Sequence, residues 1–173
     1  MTNVILVVAQ EGFQEKEFSD TKDALKKEGF KCDVASKNMD WAVGKEWMRI
    51  MPDLTIGDAI ESLDMYGGVA FIGGPGAVSY FEDHEALKLA KLCFEKGKIT
   101  GAICIAPMIL AKAGILSGRK ATVWDKDLMQ STFFKKYGIS YTGAPVTTDG
   151  IIVTGNGPEA AKAFGEAIAK LLD

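Results

Sequence analysis

Short apolar runs alternate along the chain with longer segments in which apolar side chains recur at helical spacing. The first run, 4–8, is continuous and β-branched, which is typical of a strand buried on both faces of a parallel sheet. By the same criteria the pattern predicts further strands at 30–35, 68–72, 99–103 and 120–124. It predicts helices at 15–28, 84–96, 105–113, 127–137 and 158–172. This alternation predicts an α/β fold with a doubly wound, mostly parallel sheet between helices.

Two segments depart from the alternation. Residues 38–60 carry Gly44, Pro52 and Gly57 between short apolar pieces, which predicts a small β excursion with loops and then a helical turn near 58–64. Near the C-terminus, Asp149-Gly150 separates Val146 from the apolar run 151–153, a pattern that favours a hairpin. No repeat, low-complexity tract or linker interrupts the chain, so we predict a single domain over 1–173.

Composition and charge narrow the function classes. The 173 residues carry a net charge of -3, with lysines and arginines scattered among acids, so dedicated nucleic-acid binding is not expected. No apolar run approaches the roughly 20 residues that a membrane span needs, and the first ten residues lack a basic leader with a cleavage pattern. We expect a soluble protein of the cytoplasm.

The supply of cysteine and histidine limits the chemistry further. The three cysteines, Cys32, Cys93 and Cys104, are far apart in the sequence and have no C-x-x-C spacing, which argues against both disulfides and a zinc site. His84 is the single histidine, so a site with several imidazole ligands is excluded. We expect neither a metal nor a cofactor.

Cys104 is the first candidate for chemistry. It follows the predicted strand 99–103, and the small residues Ala102 and Ala106 flank it two positions away on either side. This spacing is that of a nucleophile elbow, a sharp strand-to-helix turn that presents its central residue at a helix N-terminus. Amides at that position are expected to lower the thiol pKa. The alternative is a small buried apolar residue, the commonest role of a free cysteine.

Two further groups stand at predicted strand ends on the same edge of the sheet. The first is the glycine-rich run 73–76, whose backbone could form an oxyanion hole with the Ile105 amide, or could simply make a turn with positive φ. The second is acidic: Glu11, Glu15 and Glu17 lie between the first strand and first helix. One of these carboxyls could reach the thiol, whereas most of them would be solvated at the helix start.

Taken together, these motifs resemble the DJ-one/PfpI superfamily. The resemblance rests on the G-x-x-E-x-E of Gly12, Glu15 and Glu17, the Gly73-Gly74 turn, the A-I-C-x-x-P of 102–107 and the N-G-P of 156–158. The superfamily includes cysteine peptidases, glyoxalase- and deglycase-like enzymes, chaperones and oxidative-stress proteins. It implies a flavodoxin-like fold over essentially the whole chain.

The resemblance also implies roles for particular residues. Cys104 corresponds to the reactive cysteine, Glu17 to the carboxylate that touches it, and Gly74 and Ile105 to the backbone amide donors. The rest of the pocket is expected to include Glu15, Gly73, Pro75, Trp124 and Asp125.

Two positions depart from the superfamily pattern. Ile105 stands where peptidase members carry a histidine, and Trp124 with Asp125 stands where stress-protein members carry one. A Cys-His peptidase is therefore disfavoured, and His84, at the predicted start of a surface helix, is not expected to replace the missing base.

These features predict a cysteine-dependent glyoxalase- or deglycase-like enzyme, or a related hydrolase, acting on small reactive carbonyls or their adducts on proteins. Cys104 would be the nucleophile and Glu17 its acid/base, with the pair sharing one proton. The alternatives are a stress sensor or protective protein in which Cys104 is oxidised, and a peptidase with a non-adjacent base. A flavin carrier is a further alternative, disfavoured because the acidic segment after the first strand would repel phosphate.

A homodimer or a larger homo-oligomer is expected from the resemblance, and more weakly from apolar Trp41, Trp47, Met48 and Ile50.

Overall fold

A computed structural model describes residues 3–173. The helices are α1 (Glu15–Lys27), α2 (Ile56–Glu61), α3 (His84–Glu95), α4 (Pro107–Lys112), α5 (Met129–Lys136) and α6 (Ala161–Leu172). Short 3₁₀ turns cover Leu63–Met65, Pro75–Tyr80 and Pro158–Ala160. The strands are β1 (Asn3–Val7), β2 (Glu11–Phe13), β3 (Lys31–Ser36), β4 (Ala42–Gly44), β5 (Arg49–Ile50), β6 (Leu54–Thr55), β7 (Tyr66–Phe71), β8 (Ile99–Ile103), β9 (Lys120–Ala121), β10 (Ser140–Tyr141), β11 (Val146–Asp149) and β12 (Ile152–Gly155).

Seven of these strands form one central sheet in the order β11-β12-β8-β7-β1-β3-β6. All neighbouring pairs are parallel except β11 with β12, the hairpin that the sequence predicts around Asp149-Gly150. Helices α1 and α6 pack together, and α2, α3 and α4 form a second group of packed helices. The predicted α/β fold, with a mostly parallel sheet flanked by helices, is confirmed.

The sheet is the core because its strands are covered on both sides. Residues 4–9 are at most 1% exposed, and Phe71, Ile103 and Val153 are equally buried. Continuous apolar runs are required for such strands, since neither face meets water. Helix α1 follows the predicted boundaries closely and ends before Gly29, whose φ of 89° suits the residue after a helix terminus.

The strand order reverses at β1, which places a crevice at the carboxyl ends of β1 and β7. The chain runs from β1 through β3 to β6 on one side, and then returns to β7, β8 and β12 on the other. In open parallel sheets ligands bind at such a point, outside the carboxyl ends of the strands. The fold therefore brings the ends of β1, β7 and β8 to one candidate site.

One predicted strand of the sheet is wrong. Residues 120–124 do not extend the central sheet: only Lys120–Ala121 is a strand, and it pairs with β10 in a separate two-stranded sheet. The physical reason is that the hairpin strand β11 already occupies the open edge of β12. Beyond β9 the chain crosses to the site, where the Trp124 amide donates to the Cys104 carbonyl oxygen (2.8 Å).

The segment 38–60 forms the predicted β excursion, with strands more definite than the sequence indicates. β4 and β5 join β2 in a three-stranded sheet, whereas β6 adds to the edge of the central one. Trp41, Trp47 and Met48 are exposed and Ile50 is half-buried. Their exposure does not test oligomerisation, so the homo-oligomer stays a prediction. Within residues 3–173, no helix is long and apolar enough to cross a membrane.

Candidate active site

Cys104 sits on a strained turn directly after β8. Its φ is 62°, in the left-handed region that non-glycine residues rarely adopt. The turn is held from both sides, because its N–H donates to the Gly155 carbonyl oxygen (2.9 Å) and its own carbonyl accepts from Trp124. Ala102 and Ala106 are fully buried, as expected if only small side chains fit beside an elbow. Helix α4 then begins at Pro107, two residues later than the sequence predicts, because the turn occupies those positions.

Glu17 projects from the first turn of α1 into the protein interior. Its side chain is completely buried, and Oε2 accepts a hydrogen bond from the Gly73 amide (2.9 Å). Its other oxygen, Oε1, is the one buried side-chain oxygen or nitrogen of residues 3–173 without a hydrogen-bond partner. The Cys104 thiol lies beside this carboxyl and interacts with it. A buried carboxyl with an unpaired oxygen next to a thiol is a poor structural element, which favours a chemical role.

The glycines of the loop after β7 allow the two side chains to meet. A Cβ on Gly73 would lie 2.6 Å from Cys104 Cβ and 2.7 Å from Glu17 Oε2, so any side chain there would separate the pair. Gly74 has φ of 106°, and a Cβ on it would lie 2.5 Å from the Gln14 nitrogen. The loop is therefore a turn with positive φ at Gly74, and the Gly74 amide lies at the Cys104 thiol. Its use as an oxyanion hole stays a prediction.

The two groups share a titration rather than titrating independently. Burial raises the pKa of Glu17 to about 7, against the opposing effects of Cys104, the Gly73 amide and the charge of Lys45. Burial, then the charge of Glu17 and its hydrogen bond, raises the pKa of Cys104 to about 12, although the amides of Gly74 and Ile105 lower it. The pair thus holds one proton over a wide pH range above about 7.

The expectation of a lowered thiol pKa is wrong. The sequence suggests a helix N-terminus acting alone, whereas the structure buries the sulfur and sets a carboxylate beside it. Both effects penalise a second negative charge. The resting pair therefore carries a single charge, and Glu17, with a pKa of about 7, suits a general base at neutral pH.

A pocket of about 520 Å³ opens over the thiol. Of the residues predicted for the site, Cys104, Ile105, Gly74, Pro75 and Trp124 line it. The other lining residues are Gln14, Lys45, Val78, Lys126, Asp127, Gln130 and Pro158. The lining thus combines apolar side chains with a few polar and charged ones, as is usual for small-molecule sites.

Glu17 and Gly73 lie against Cys104 but do not line this pocket themselves, and Glu15, Asp125 and His84 lie outside it as well. Glu15 turns to the excursion, where Oε1 accepts from the Glu46 amide (2.6 Å). Asp125 accepts from the Ser131 amide (2.8 Å) and so fastens the start of α5. His84 is exposed at the N-terminus of α3 and does not line the pocket. The carboxyls of Glu15 and Asp125 thus fix loops around the site instead of facing the thiol.

Sequence reasoning misses the rim of the pocket. Lys45 comes from the β excursion, Lys126 from the turn before α5 and Gln130 from the first turn of α5. The predicted helix 127–137 includes Gln130, but its pattern does not show which side chains reach the pocket. Only Gln14 had a recognisable position in the sequence, directly before the predicted helix. In the structure it is the N-cap of α1, and its side-chain oxygen accepts from the Glu17 amide (3.1 Å). That position in the sequence predicts a helix start but not a place in the pocket.

In the native protein Cys104 should be the thiol that small electrophiles modify first. It opens into the pocket and has Glu17 beside it as a base, whereas burial raises the pKa values of Cys32 and Cys93 to about 11, and the charges of Lys22 and Asp33 act on Cys32 in opposite directions. Cys93 is fully buried, but Cys32 is only partly shielded, less than the sequence suggests. Brief iodoacetamide labelling with peptide mapping gives the order, and faster modification of Cys32 would argue against an activated Cys104.

Glu17→Gln should stabilise the protein at alkaline pH. Because the folded protein raises the Glu17 pKa from 4.5 to about 7, the folded state binds this proton more tightly. The corresponding stability is fully present below pH 4.5 and is lost as the pH rises through about 7. The neutral amide avoids this loss, which is on the order of 3 kcal/mol. Urea unfolding of both proteins at about pH 4 and about pH 8 measures it, and equal pH dependence would show that Glu17 is not perturbed.

Comparison with known proteins supports the resemblance seen in the sequence. The sequence model of the DJ-1/PfpI family matches residues 3–171. An uncharacterised protein of Methanocaldococcus jannaschii is 32% identical over 171 residues, which cover 98% of this chain and 82% of that protein. A protein of Thermococcus kodakarensis named as a deglycase is 29% identical over 170 residues, covering 97% and 98%. The crystal structure of a ThiJ/PfpI domain protein from Brachyspira murdochii superimposes with a TM-score of 0.92 at 28% identity, covering 98% and 95%.

Proposed function

The chain belongs to the DJ-1/PfpI family, and on this basis we propose that it is a cofactor-free, cysteine-dependent enzyme of the glyoxalase or deglycase type. Its substrates are small reactive carbonyls or the adducts that they form on amines and thiols. The observation that carries the proposal is the buried pair of Cys104 and Glu17, in which Glu17 Oε1 has no hydrogen-bond partner. The deglycase names among the relatives support the same substrate class.

The first step is addition of the thiol to an aldehyde carbon. A carbon–sulfur bond forms, the carbonyl π bond breaks, and the thiol proton passes to Glu17. The oxygen that becomes negative lies next to the sulfur, where the amides of Gly74 and Ile105 already point. Glu17 can then return its proton to this oxygen, which gives a hemithioacetal.

With a dicarbonyl substrate Glu17 has a second task. As a carboxylate it takes the proton from the former aldehyde carbon and delivers it to the adjacent carbonyl carbon. The hydroxyl proton of the hemithioacetal passes to the adjacent carbonyl oxygen, so the product is the thioester of a 2-hydroxy acid. Water hydrolyses the thioester and restores the thiol. The carbon atoms exchange oxidation states internally, so the cycle consumes no external oxidant or reductant.

Methylglyoxal should be converted to lactate, whereas unstructured peptides should not be cleaved. Amide cleavage needs a proton donor for a poor leaving group, and Ile105 stands where a peptidase histidine would be. Product formation is followed by NMR, with casein fragments tested in parallel by mass spectrometry. Peptide cleavage faster than dicarbonyl turnover, lost in Cys104→Ser, would reverse this ranking and favour a peptidase with a non-adjacent base.

The same geometry favours one second candidate, a redox-responsive role for Cys104. A peroxide would oxidise the sulfur to a sulfinate. The sulfinate oxygens could accept hydrogen bonds from the amides of Gly74 and Ile105, and a further one from Glu17 if its unpaired Oε1 carries the proton. Intact-mass analysis after mild peroxide treatment tests it. A stable gain of two oxygen atoms at Cys104, without dicarbonyl turnover by the reduced protein, would favour this candidate over the enzyme.

A further inference from the structure

The lining of the pocket over Cys104 includes Lys45 and Lys126, here called its cationic rim, which the chemistry at the sulfur does not require. Lys45 and Lys126 both line it, and they come from different parts of the chain, the β4–β5 connection and the turn before α5. The pocket lining thus carries two positive side chains, although the protein as a whole has a net charge of -3. The electrostatic environment of this mouth therefore differs from that of the protein as a whole.

The charges of the two lysines are available to a ligand. In the part of the chain that the structure describes, no carboxylate lies within 4.0 Å of the Lys126 ammonium. Lys45 has only its neighbour Glu46 at 3.4 Å, and that carboxylate is 75% exposed. The Lys45 charge also reaches the buried pair, because it lowers the pKa of Glu17. The rim lysine is thus close enough to affect the reacting pair.

The one acidic side chain in the pocket lining is already occupied. Asp127 Oδ1 accepts from the Met129 amide (3.1 Å). Gln130, with its amide nitrogen turned toward them, donates to the same Asp127 oxygen (2.6 Å) and to the Trp124 carbonyl oxygen (3.3 Å). These bonds fix Asp127 at the start of α5 but do not neutralise it, so the pocket lining carries the two positive charges of Lys45 and Lys126 against one negative charge.

We propose that this rim selects carbonyl substrates that carry a carboxylate, which Lys45 and Lys126 bind while the carbonyl group faces Cys104. The inference rests on the proposed function and specifies its substrate class. A pocket of about 520 Å³ has room for a molecule that spans from the sulfur to the rim. Selection would act through charge attraction at the mouth, so it should weaken as salt is added.

Alkylation of Cys104 tests the rim without requiring turnover. Iodoacetate and iodoacetamide deliver similar alkylating groups, but only iodoacetate carries the carboxylate. In both reactions the sulfur–carbon bond forms, iodide leaves and the thiol proton passes to Glu17. The ratio of the two rates at Cys104 therefore cancels changes in the thiol itself, and the same ratio at Cys32 provides an internal reference.

In the double variant Lys45→Gln/Lys126→Gln the iodoacetate-to-iodoacetamide ratio at Cys104 should fall about 3- to 30-fold, with part of the fall in each single variant. Lys170→Gln is the matched control, because Lys170 is an exposed lysine in the last turn of α6, remote from the pocket. It should leave the ratio unchanged. A ratio in the double variant within twofold of wild type would overturn the proposal.

Turnover separates the rim from the proposed function. Phenylglyoxal and 4-carboxyphenylglyoxal share one reactive group and differ in the carboxylate, so their kcat/KM ratio should shift in the double variant as the alkylation ratio does. If neither these compounds nor methylglyoxal is turned over, the proposed function fails, and the alkylation ratio still decides for or against the rim. If both are turned over with the same ratio in wild type and double variant, the rim proposal fails while the enzyme activity stands.

Discussion

Cys104→Ser should reduce methylglyoxal turnover to the buffer background, a loss of at least about 1,000-fold. A serine hydroxyl is far less acidic than a thiol and is a poorer nucleophile at neutral pH. Glu17, with a pKa of about 7, is too weak a base to remove a hydroxyl proton appreciably. The measurement is the initial rate of lactate formation, with circular dichroism to show that the variant is folded.

Cys32→Ser is the matched control for this loss. It makes the same chemical change at a half-buried thiol of β3, away from the pocket, and should keep wild-type turnover. If Cys104→Ser retains more than about a tenth of wild-type activity, Cys104 is not the nucleophile. The pocket would then act by another group.

Glu17→Gln and Glu17→Leu should both lose on the order of 100- to 10,000-fold in activity, because neither can move a proton. They should differ in the thiol pKa. Gln removes the negative charge that raises the Cys104 pKa and offers an amide donor to the sulfur, so it should lower that pKa below the wild-type value of about 12. Leu removes the charge but surrounds the sulfur with apolar atoms, so its thiol pKa should be higher than that of the Gln variant.

Ultraviolet titration of the thiolate and kinetics on the same samples measure both effects. Cys104→Ser supplies the background absorbance from the other two thiols and the tyrosines. Superimposable titrations for wild type, Gln and Leu would show that Glu17 is not coupled to Cys104. Its burial would then be a packing feature of α1.

Much of the fold could be predicted because the buried parallel strands carry an unambiguous apolar signal. Strand β8 has the predicted bounds, and β1 and α1 begin and end within one residue of theirs. The exception, 120–124, has the same local pattern but is excluded from the sheet by β11. Local sequence cannot show which of two candidate strands occupies an edge.

The residues at the centre of the site could be predicted from the sequence for a similar reason. Cys104, Glu17 and Gly74 lie at strand ends that the topology must bring together, and their motifs are tied to local turns. The direction of the Cys104 pKa shift could not be predicted from the sequence, because it depends on how completely the sulfur and Glu17 are buried. Lys45 and Lys126 were missed because their position at the rim comes from tertiary packing of two loops.

The central claim is that Cys104 and Glu17 form one titrating pair in which Glu17 moves the thiol proton. The most direct test is the pH dependence of Cys104 alkylation by iodoacetamide, followed by peptide mass in wild type and Glu17→Gln. In wild type the rate should rise through a pKa of about 7, where the pair loses its first proton. In Glu17→Gln this rise should be absent, and the rate should follow the thiol alone. The same rise near that pH in both proteins, or its absence from wild type, would contradict the claim.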